Sequence, residues 1–211
     1  MKIVAALTDP ALALTAEKLG ADLIELRLDL IQGDIASQVE QCRKTTKLSI
    51  IGTLRSAKEG GQFFGSADEW FQRIEPLLPF FDYVDVEQRY CSHAAAIKKC
   101  NKTVIASFHT PAMPPLFGLF GLERDLRNYG DIVKIIATPK SDEDVIEMIA
   151  FTHGVKLPVC TGVMGGDFRY ARVVLALFGS EFVYCHVGTP TAAGQYSVEE
   201  FVSVLKLLGR R

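Results

Sequence analysis

Residues 131–138 read Asp-Ile-Val-Lys-Ile-Ile-Ala-Thr, a short apolar run of the β type with a single lysine, Lys134, near its centre. Seven other runs of this kind occur along the chain, at residues 2–7, 23–29, 48–55, 83–87, 103–109, 159–163 and 182–187. Stretches with apolar residues at helical spacing lie between them, for example at residues 67–78, 142–151 and 198–208. The spacing of the apolar residues therefore predicts eight strands that alternate with helices.

Regular alternation of this kind indicates a parallel sheet, and eight is the number of strands that closes a TIM barrel. We predict a compact (β/α)8 TIM barrel that forms a single catalytic domain over residues 1–211. An open, doubly wound α/β sheet is the alternative. That fold would usually carry a glycine-rich phosphate loop after its first strand, whereas residues 7–10 read Leu-Thr-Asp-Pro.

Residues that start and end helices fit this division of the chain. Asp9 precedes a proline, Ser66 begins a capping box, and Ser141 precedes an acidic first turn, so each predicts the start of a helix. Gly20 and Gly130 are predicted to end helices before the strands that follow them.

The composition narrows the class of partner. The chain has 211 residues, of which 48% are hydrophobic, and a formal net charge of −2, which does not suit a nucleic-acid surface. Its five cysteines include no C-x-x-C pair, as is usual for a reduced, intracellular protein. The first apolar stretch is too short for a signal peptide, and none approaches the ~20 residues of a membrane helix. We expect a cytoplasmic protein that acts on a small molecule and binds neither nucleic acid nor membrane.

Lys134 is the first candidate for chemistry. Its neighbours Val133, Ile135 and Ile136 predict a largely dehydrated position for the amine. Dehydration disfavours a protonated amine and leaves a lone pair that can attack a carbonyl carbon to form an imine. The alternative is a structural lysine, whose stem crosses apolar surface and whose amine reaches water or a carboxylate.

Charged residues at period two mark the inner face of the second run. Glu25, Arg27 and Asp29 share one face, and helices cover the outside of a parallel barrel, so this face should point inward. Glu25 and Arg27 would then pair with each other and bind a hydroxylated ligand, unless they form only a structural salt bridge. The third run ends at Arg55, a donor suited to a carboxylate, and Glu59 follows on a glycine-containing loop.

The later strands add further polar groups. Asp85 and Glu87 share a face of the fourth run, and His109 ends the fifth run beside the strand that carries the lysine. That position favours general acid/base chemistry for His109. His186, late in the eighth run, receives no role, and no motif predicts a metal site.

The last two loops contain candidate groups for an anion or a polar ligand. Glycines between Met164 and Arg172 lead into a helix, whose N-terminus could receive an anion. The next loop offers the hydroxyl of Thr191 and the amide of Gln195. Because these loops bind phosphate in many barrels, a phosphorylated substrate remains open at this point.

Together these segments resemble type I 3-dehydroquinate dehydratase, a Schiff-base enzyme of the shikimate pathway. The matching motifs span nearly the whole chain in order: ELRLD at 25–29, TLRSAKEGG at 53–61, SFHT at 107–110, VKI at 133–135, MG at 164–165 and AGQ at 193–195. The resemblance implies a lyase of aromatic amino acid biosynthesis that removes water from 3-dehydroquinate to give 3-dehydroshikimate.

The resemblance also implies roles for single residues. Lys134 would form the imine, His109 would act as general base and then general acid, and Glu59 would orient His109. Arg172 would hold the substrate carboxylate. The remaining substrate-binding residues would be Glu25, Arg27, Arg55, Thr191 and Gln195. Neither a cofactor nor a metal is implied, because the imine supplies the electrophile. Dimers are common among relatives, so the resemblance raises the expectation of a homodimer.

Five positions depart from the family pattern. Thr191 stands where a serine is usual, Ala193 replaces a proline, and Phe168 stands where a second glycine is common. Ala171 and Ala6 occupy positions where relatives carry serines. These changes bear on substrate affinity and on loop closure more than on the reaction.

Two alternative functions remain open on the sequence alone. A class I aldolase acting on a phosphorylated sugar or hydroxyketone would also use a buried strand lysine, but it would need phosphate donors in the last two loops. A catalytically silent barrel, or an open α/β module that binds a ligand, would not capture its ligand covalently.

Overall fold

The computed structural model describes residues 1–211 and contains eight strands and eight α-helices in alternation. The strands are β1 Lys2–Leu7, β2 Leu23–Arg27, β3 Ser49–Thr53, β4 Tyr83–Glu87, β5 Thr103–Thr110, β6 Ile132–Ala137, β7 Val159–Val163 and β8 Phe182–His186. The α-helices are α1 Ala13–Leu19, α2 Ile35–Thr45, α3 Ala67–Ile74, α4 Ala94–Lys99, α5 Leu116–Arg127, α6 Asp142–Gly154, α7 Ala171–Leu177 and α8 Val198–Leu207. No helix combines the length and the apolar character needed to cross a bilayer.

The eight strands are parallel and form a nearly closed barrel. Each strand from β1 to β7 pairs with the next, and β1 also pairs with β8. The seam between β7 and β8 lacks a ladder, but the N–H of Glu181 donates to the carbonyl of Val159 at 2.7 Å. Ser180 bridges the same seam, since its hydroxyl accepts from the N–H of Thr161 at 3.0 Å. The predicted barrel is confirmed, and the open sheet is excluded.

An apolar plug fills the end of the barrel at which the strands begin. Its buried members are Val4, Leu23, Ile51, Ile105, Ile132, Cys160 and Phe182, which come from seven of the eight strands. The outward-facing side chains of the strands pack under the helices in two further apolar clusters. Polar residues that face inward are therefore confined to the other end, where the strands finish.

Capping residues in the sequence predicted most of the helix boundaries correctly. The side chains of Asp9, Ser66 and Ser141 all cap helix N-termini, and Gly20 ends α1 in the left-handed conformation. The helix predicted over residues 67–78 is shorter, because prolines turn residues Glu75–Phe80 into a 3-10 segment.

The predicted role of Gly130 as a helix end was wrong. Helix α5 ends at Arg127 with Asn128 as its C-cap, and Gly130 does not have a positive φ. The glycine is required for close approach instead. A Cβ added there would lie 2.3 Å from the Cβ of Ala106 and 3.1 Å from its backbone nitrogen.

We predict that Gly130→Ala lowers the free energy of unfolding by about 1–3 kcal/mol, because the rigid strand β5 cannot move away from the new methyl group. Gly121→Ala is the matched control, since nothing lies within 4 Å of a Cβ added at that position in α5. The free energy of unfolding of Gly121→Ala should rise by about 0.5–1 kcal/mol, because alanine has a higher helix propensity than glycine. Urea denaturation measures both values, and a Gly130→Ala protein as stable as wild type would contradict the steric account.

Candidate active site

One cavity opens at the end of the barrel where the strands finish, and it contains about 840 Å³ of space including its open mouth. All nine residues that the sequence singled out as candidates line it. They are Glu25, Arg27, Arg55, Glu59, His109, Lys134, Arg172, Thr191 and Gln195. The fold thus brings together residues from six strands or the loops that follow them.

Lys134 lies inside the barrel and is 3% exposed. Its Nζ lies 2.9 Å from Oδ2 of Asp85 and 3.5 Å from Oε1 of Glu25. It also lies 3.9 Å from the centre of the Tyr184 ring, a cation–π contact. The predicted burial is confirmed, but the predicted aliphatic surroundings were wrong. Val133 and Ile135 point outward under the helices, so the amine faces acids from other strands.

Arg55 contacts three acidic side chains, of which Glu59 lines the cavity and Asp85 and Glu87 lie behind its wall. Its guanidinium lies 2.8 Å from Asp85, 3.0 Å from Glu87 and 3.4 Å from Glu59. Burial alone would lower the pKa of Arg55, but these carboxylates raise it above its ordinary value. Burial would likewise raise the pKa of Asp85, but Arg55 and Lys134 hold it below its ordinary value. At neutral pH, therefore, both groups are charged and each compensates the other.

Three residues in contact with this network had no predicted role. Asp85 was recognised only as sharing a face with Glu87, and Ser107 and Tyr184 were not singled out. Ser107 donates its hydroxyl to Oδ1 of Asp85 at 2.5 Å, while Tyr184 lines the cavity. A signal was available, because Ser107 lies two residues before His109 and so shares its inward face.

Glu59 and His109 form a contact pair in the same cavity. Oε2 of Glu59 accepts the backbone N–H of His109 at 3.0 Å and lies 2.9 Å from its Nδ1. Burial, reinforced by the charges of Glu87 and Asp85, raises the pKa of Glu59 to about 8 against the opposing effect of Arg55. Burial, together with Arg55 and Lys134, lowers the pKa of His109 well below its ordinary value. The contact is therefore a hydrogen bond between neutral groups at pH 7 rather than an ion pair.

The direction of that hydrogen bond follows from its surroundings. Oε2 of Glu59 also accepts from Nη1 of Arg55 at 3.4 Å, so the donors converge on this one oxygen. We therefore assign the proton of the neutral imidazole to Nδ1 of His109, which donates to Glu59. Nε2 of His109 is left as the basic nitrogen.

The predicted pair of Glu25 with Arg27 was wrong. Arg27 instead forms a bidentate pair with Asp29, with distances of 3.0 and 2.8 Å. Glu25 accepts the hydroxyl of Thr53 at 2.9 Å and lies beside Lys134. The cause is that β2 ends at Arg27, so the chain turns at Asp29 and brings its carboxylate back to the guanidinium.

The last two loops close one side of the cavity. Arg172, at the start of α7, is 9% exposed and donates from Nη2 to the carbonyl of Ala193 at 3.2 Å. Its Nε has no hydrogen-bond partner, and no carboxylate lies within salt-bridge distance of it. Thr191 donates its N–H and its hydroxyl to Oε1 of Gln195, at 2.9 and 3.1 Å. Arg172 is thus a buried cation beside the cavity without an acidic partner.

The remaining histidines lie elsewhere. His186 donates from Nδ1 to the carbonyl of Gly188 at 2.8 Å and does not line the cavity. His93 stacks on Phe71, and His153 contacts Phe178. No group of three or more His, Cys, Asp or Glu side chains has the arrangement of a metal site.

Comparisons with known proteins show the family of this chain. Residues 6–211 match the model of the type I 3-dehydroquinase family. The chain is 55% identical to the 3-dehydroquinate dehydratase of Methanoregula boonei over 99% of this chain and 100% of that protein. It is 36% identical to that of Methanospirillum hungatei over 99% of this chain and 81% of that protein. The crystal structure of 3-dehydroquinate dehydratase from Geobacillus kaustophilus superposes with a TM-score of 0.89 at 26% identity, covering 99% of this chain and 91% of that one.

We predict that Glu59→Gln makes the stability of the protein less dependent on pH. The folded wild type keeps the proton of Glu59 from the ordinary value of 4.5 up to about 8, whereas the unfolded chain releases it. The wild type should therefore lose free energy of unfolding, relative to the variant, as the pH rises through this window. Each pKa unit is worth about 1.4 kcal/mol, so the difference should reach a few kcal/mol.

Urea denaturation at a series of pH values measures this difference. Glu40→Gln is the control, because Glu40 pairs with Lys44 on the exposed surface of α2 and should leave the slope unchanged. Parallel stability curves for wild type and Glu59→Gln would contradict the assignment of a neutral Glu59.

Proposed function

Because this chain belongs to the type I 3-dehydroquinase family, we propose that it dehydrates 3-dehydroquinate to 3-dehydroshikimate through a Schiff base on Lys134. The family membership establishes a 3-dehydroquinate dehydratase of the shikimate pathway. The Schiff base and the residue roles below are the proposal. The observation that carries it is a lysine that is 3% exposed and still lines the cavity that contains His109.

The first step joins Lys134 to the substrate ketone. The amine must first give up its proton and then attack the carbonyl carbon to give a carbinolamine. The carbinolamine oxygen is then protonated and leaves as water, while the nitrogen lone pair forms the C=N bond. In total, an ammonium and a ketone become a protonated imine and one water molecule. The cationic nitrogen then withdraws electrons from the neighbouring carbon, so that a C–H bond there becomes acidic.

His109 is the proposed general base for that C–H bond. Its imidazole is neutral because burial and the cations Arg55 and Lys134 lower its pKa, and Nε2 is the free nitrogen. The C–H electron pair moves toward the imine nitrogen and gives an enamine. His109 then returns its proton to the departing hydroxyl, which leaves as water, and the enamine electrons form the new C=C bond. Hydrolysis of the conjugated imine releases product and frees Lys134.

Arg172 is the proposed partner of the substrate carboxylate. The other cations in the cavity already have carboxylate partners: Arg27 pairs with Asp29, and Arg55 and Lys134 share Asp85. Arg172 has only a carbonyl as a partner, and its Nε is buried without a hydrogen bond. A buried guanidinium in this state gains most from an anion, and a carboxylate matches its two-pronged geometry.

The remaining polar residues are the proposed contacts for the substrate hydroxyls. They all line the cavity, and they are Glu25, Arg27, Arg55, Thr191 and Gln195. Their existing hydrogen bonds fix their orientations before a ligand arrives, which reduces the ordering cost of binding.

The alternative functions receive less support from the same features. A phosphorylated aldolase substrate would need several donors in the last two loops, where Arg172 is the single buried cation without a carboxylate partner. A barrel without catalytic activity does not need a lysine paired with two acids inside a cavity, and burying such charges costs desolvation free energy.

We predict that Lys134→Ala lowers turnover of 3-dehydroquinate by about 10³-fold or more, because no other amine in the cavity can form the imine. The ultraviolet absorbance of the conjugated enone product measures the rate. Borohydride added with the substrate should attach the ligand's mass to Lys134 of the wild type and not to the variant. Full activity in Lys134→Ala would contradict the mechanism.

We predict that Arg172→Gln raises KM by about 10- to 100-fold, the effect of losing a hydrogen-bonded charge pair with the substrate. Arg169→Gln is the matched control, three residues before Arg172 in the segment that leads into α7. That arginine is more exposed and already pairs with Glu200 at 2.6 Å, so its loss should leave KM near the wild-type value. Equal effects of the two changes would contradict the assigned carboxylate site.

A further inference from the structure

We propose that Asp85 is a positioning residue that acts through Lys134, as the fixed counter-ion that keeps the imine nitrogen protonated during turnover. The inference rests on the proposed Schiff base at Lys134, and it goes beyond it by assigning a function to an acid that does not touch the substrate. Its support lies in the way the carboxylate is held, in its position behind the cavity wall, and in the charge of the nitrogen at each stage.

The two carboxylate oxygens of Asp85 accept hydrogen bonds from different donors. Oδ1 accepts from Nη2 of Arg55 at 2.8 Å and from the hydroxyl of Ser107 at 2.5 Å. Oδ2 accepts from Nζ of Lys134 at 2.9 Å. Two donors hold Oδ1, Arg55 from the segment after β3 and Ser107 from β5. The carboxylate therefore cannot rotate away, and Oδ2 stays directed at the lysine nitrogen.

Asp85 does not share its position with the substrate. It is 2% exposed and does not line the cavity, whereas Glu25, the other acid beside Lys134, does. A bound ligand can therefore compete for Glu25 but not for Asp85. The shorter of the two contacts, 2.9 Å against 3.5 Å, is also the one to Asp85.

The nitrogen carries the same charge at the start and after imine formation. It is +1 as the ammonium and +1 as the protonated imine, because the ketone oxygen leaves as neutral water. A carboxylate suited to the first state is thus suited to the second without rearrangement. If the imine lost its proton, it would no longer withdraw the electron pair that His109 releases from the C–H bond.

The other groups around the nitrogen of Lys134 do not stabilise its positive charge as Asp85 does. Burial raises the pKa of Tyr184 on β8 well above its ordinary value, and burial raises the pKa of Cys160 on β7 to about 11, so both are neutral. Arg55, two residues after β3, is a cation that would favour loss of the proton, and its own carboxylate partners offset it. Asp85 and Glu25 are the acids in contact with the nitrogen, and Asp85 is the one held out of reach of the substrate.

The test is the pH–rate profile of Asp85→Asn, with Glu87→Gln as the matched control. Glu87 is equally buried, carries the same charge and contacts the same Arg55, but it has no contact with Lys134. In Asp85→Asn the alkaline limb of the kcat profile should move down by about 1–3 pH units, the usual effect of removing an opposite charge at this distance. In Glu87→Gln the limb should stay at the wild-type pH, whatever the change in rate.

A second measurement uses the wild type alone and does not depend on the folding of a variant. Sodium cyanoborohydride reduces protonated imines in preference to neutral ones. Capture of 3-dehydroquinate on Lys134 should therefore persist to a pH about 1–3 units above the point where the imine of the same ketone with a simple alkyl amine stops reacting. Mass spectrometry of the protein measures the capture.

The outcomes separate this inference from the proposed function. If the wild type captures no ligand at any pH, the Schiff base itself is wrong. If it captures ligand but loses this ability at the same pH as the model imine, Asp85 does not hold the proton. Equal alkaline limbs in wild type and Asp85→Asn would also overturn the inference, because a purely structural aspartate would change the rate and leave the limb in place.

Discussion

The structure depends on one buried charge, the ammonium of Lys134, which is held inside the barrel by Asp85 and Glu25. Removing one partner of a buried ion pair typically costs about 3–5 kcal/mol, so neither the lysine nor the aspartate can stand alone. Asp85 and Glu25 carry two negative charges against one positive charge on Lys134, so the network needs a second cation, which is Arg55. Arg55 also forms ion pairs with Glu59 and Glu87. The pKa values of His109 and Glu59 are shifted mainly by burial, and the charges of this network modify both shifts.

Two features of the barrel stabilise this network of buried charges. An apolar plug fills the end where the strands begin, so the polar side chains above it meet water only at the cavity mouth. The parallel register also places one inward side chain of each strand near the same height. Lys134 is level with Ser107 on β5, which is level with Glu87 on β4. Every inward polar residue therefore has neighbours from other strands, and these can complete its hydrogen bonds.

Period-two patterns along single strands predicted the inward side chains of Glu25, His109 and Lys134, and the alternation of eight strands with helices predicted the barrel. The candidate cavity residues outside the eight predicted runs were inferred from their loops and from the family resemblance; they are Glu59, Arg172, Thr191 and Gln195. The sequence did not predict the partners of the charged residues. Lys134 contacts Asp85 rather than Glu87, its level neighbour on β4, and that choice depends on strand tilt and side-chain reach. Arg27 pairs with Asp29 rather than Glu25 because β2 ends two residues earlier than the predicted run at residues 23–29. Gly130 was assigned to a helix end although the steric reason for it lies on β5. The contacts of Lys134 and Gly130 are made with other strands, and the pair of Arg27 with Asp29 depends on where β2 ends, so the period-two and capping patterns of a single sequence do not predict them.

The central claim is tested most directly by a crystal structure of the protein soaked with 3-dehydroquinate. The account predicts continuous density from Nζ of Lys134 to the former ketone carbon, with the substrate carboxylate on Arg172 and Oδ2 of Asp85 still within hydrogen-bond distance of the nitrogen. A ligand bound in the cavity without a covalent bond, its carboxylate turned away from Arg172 and Lys134 still paired as an ammonium, would contradict it.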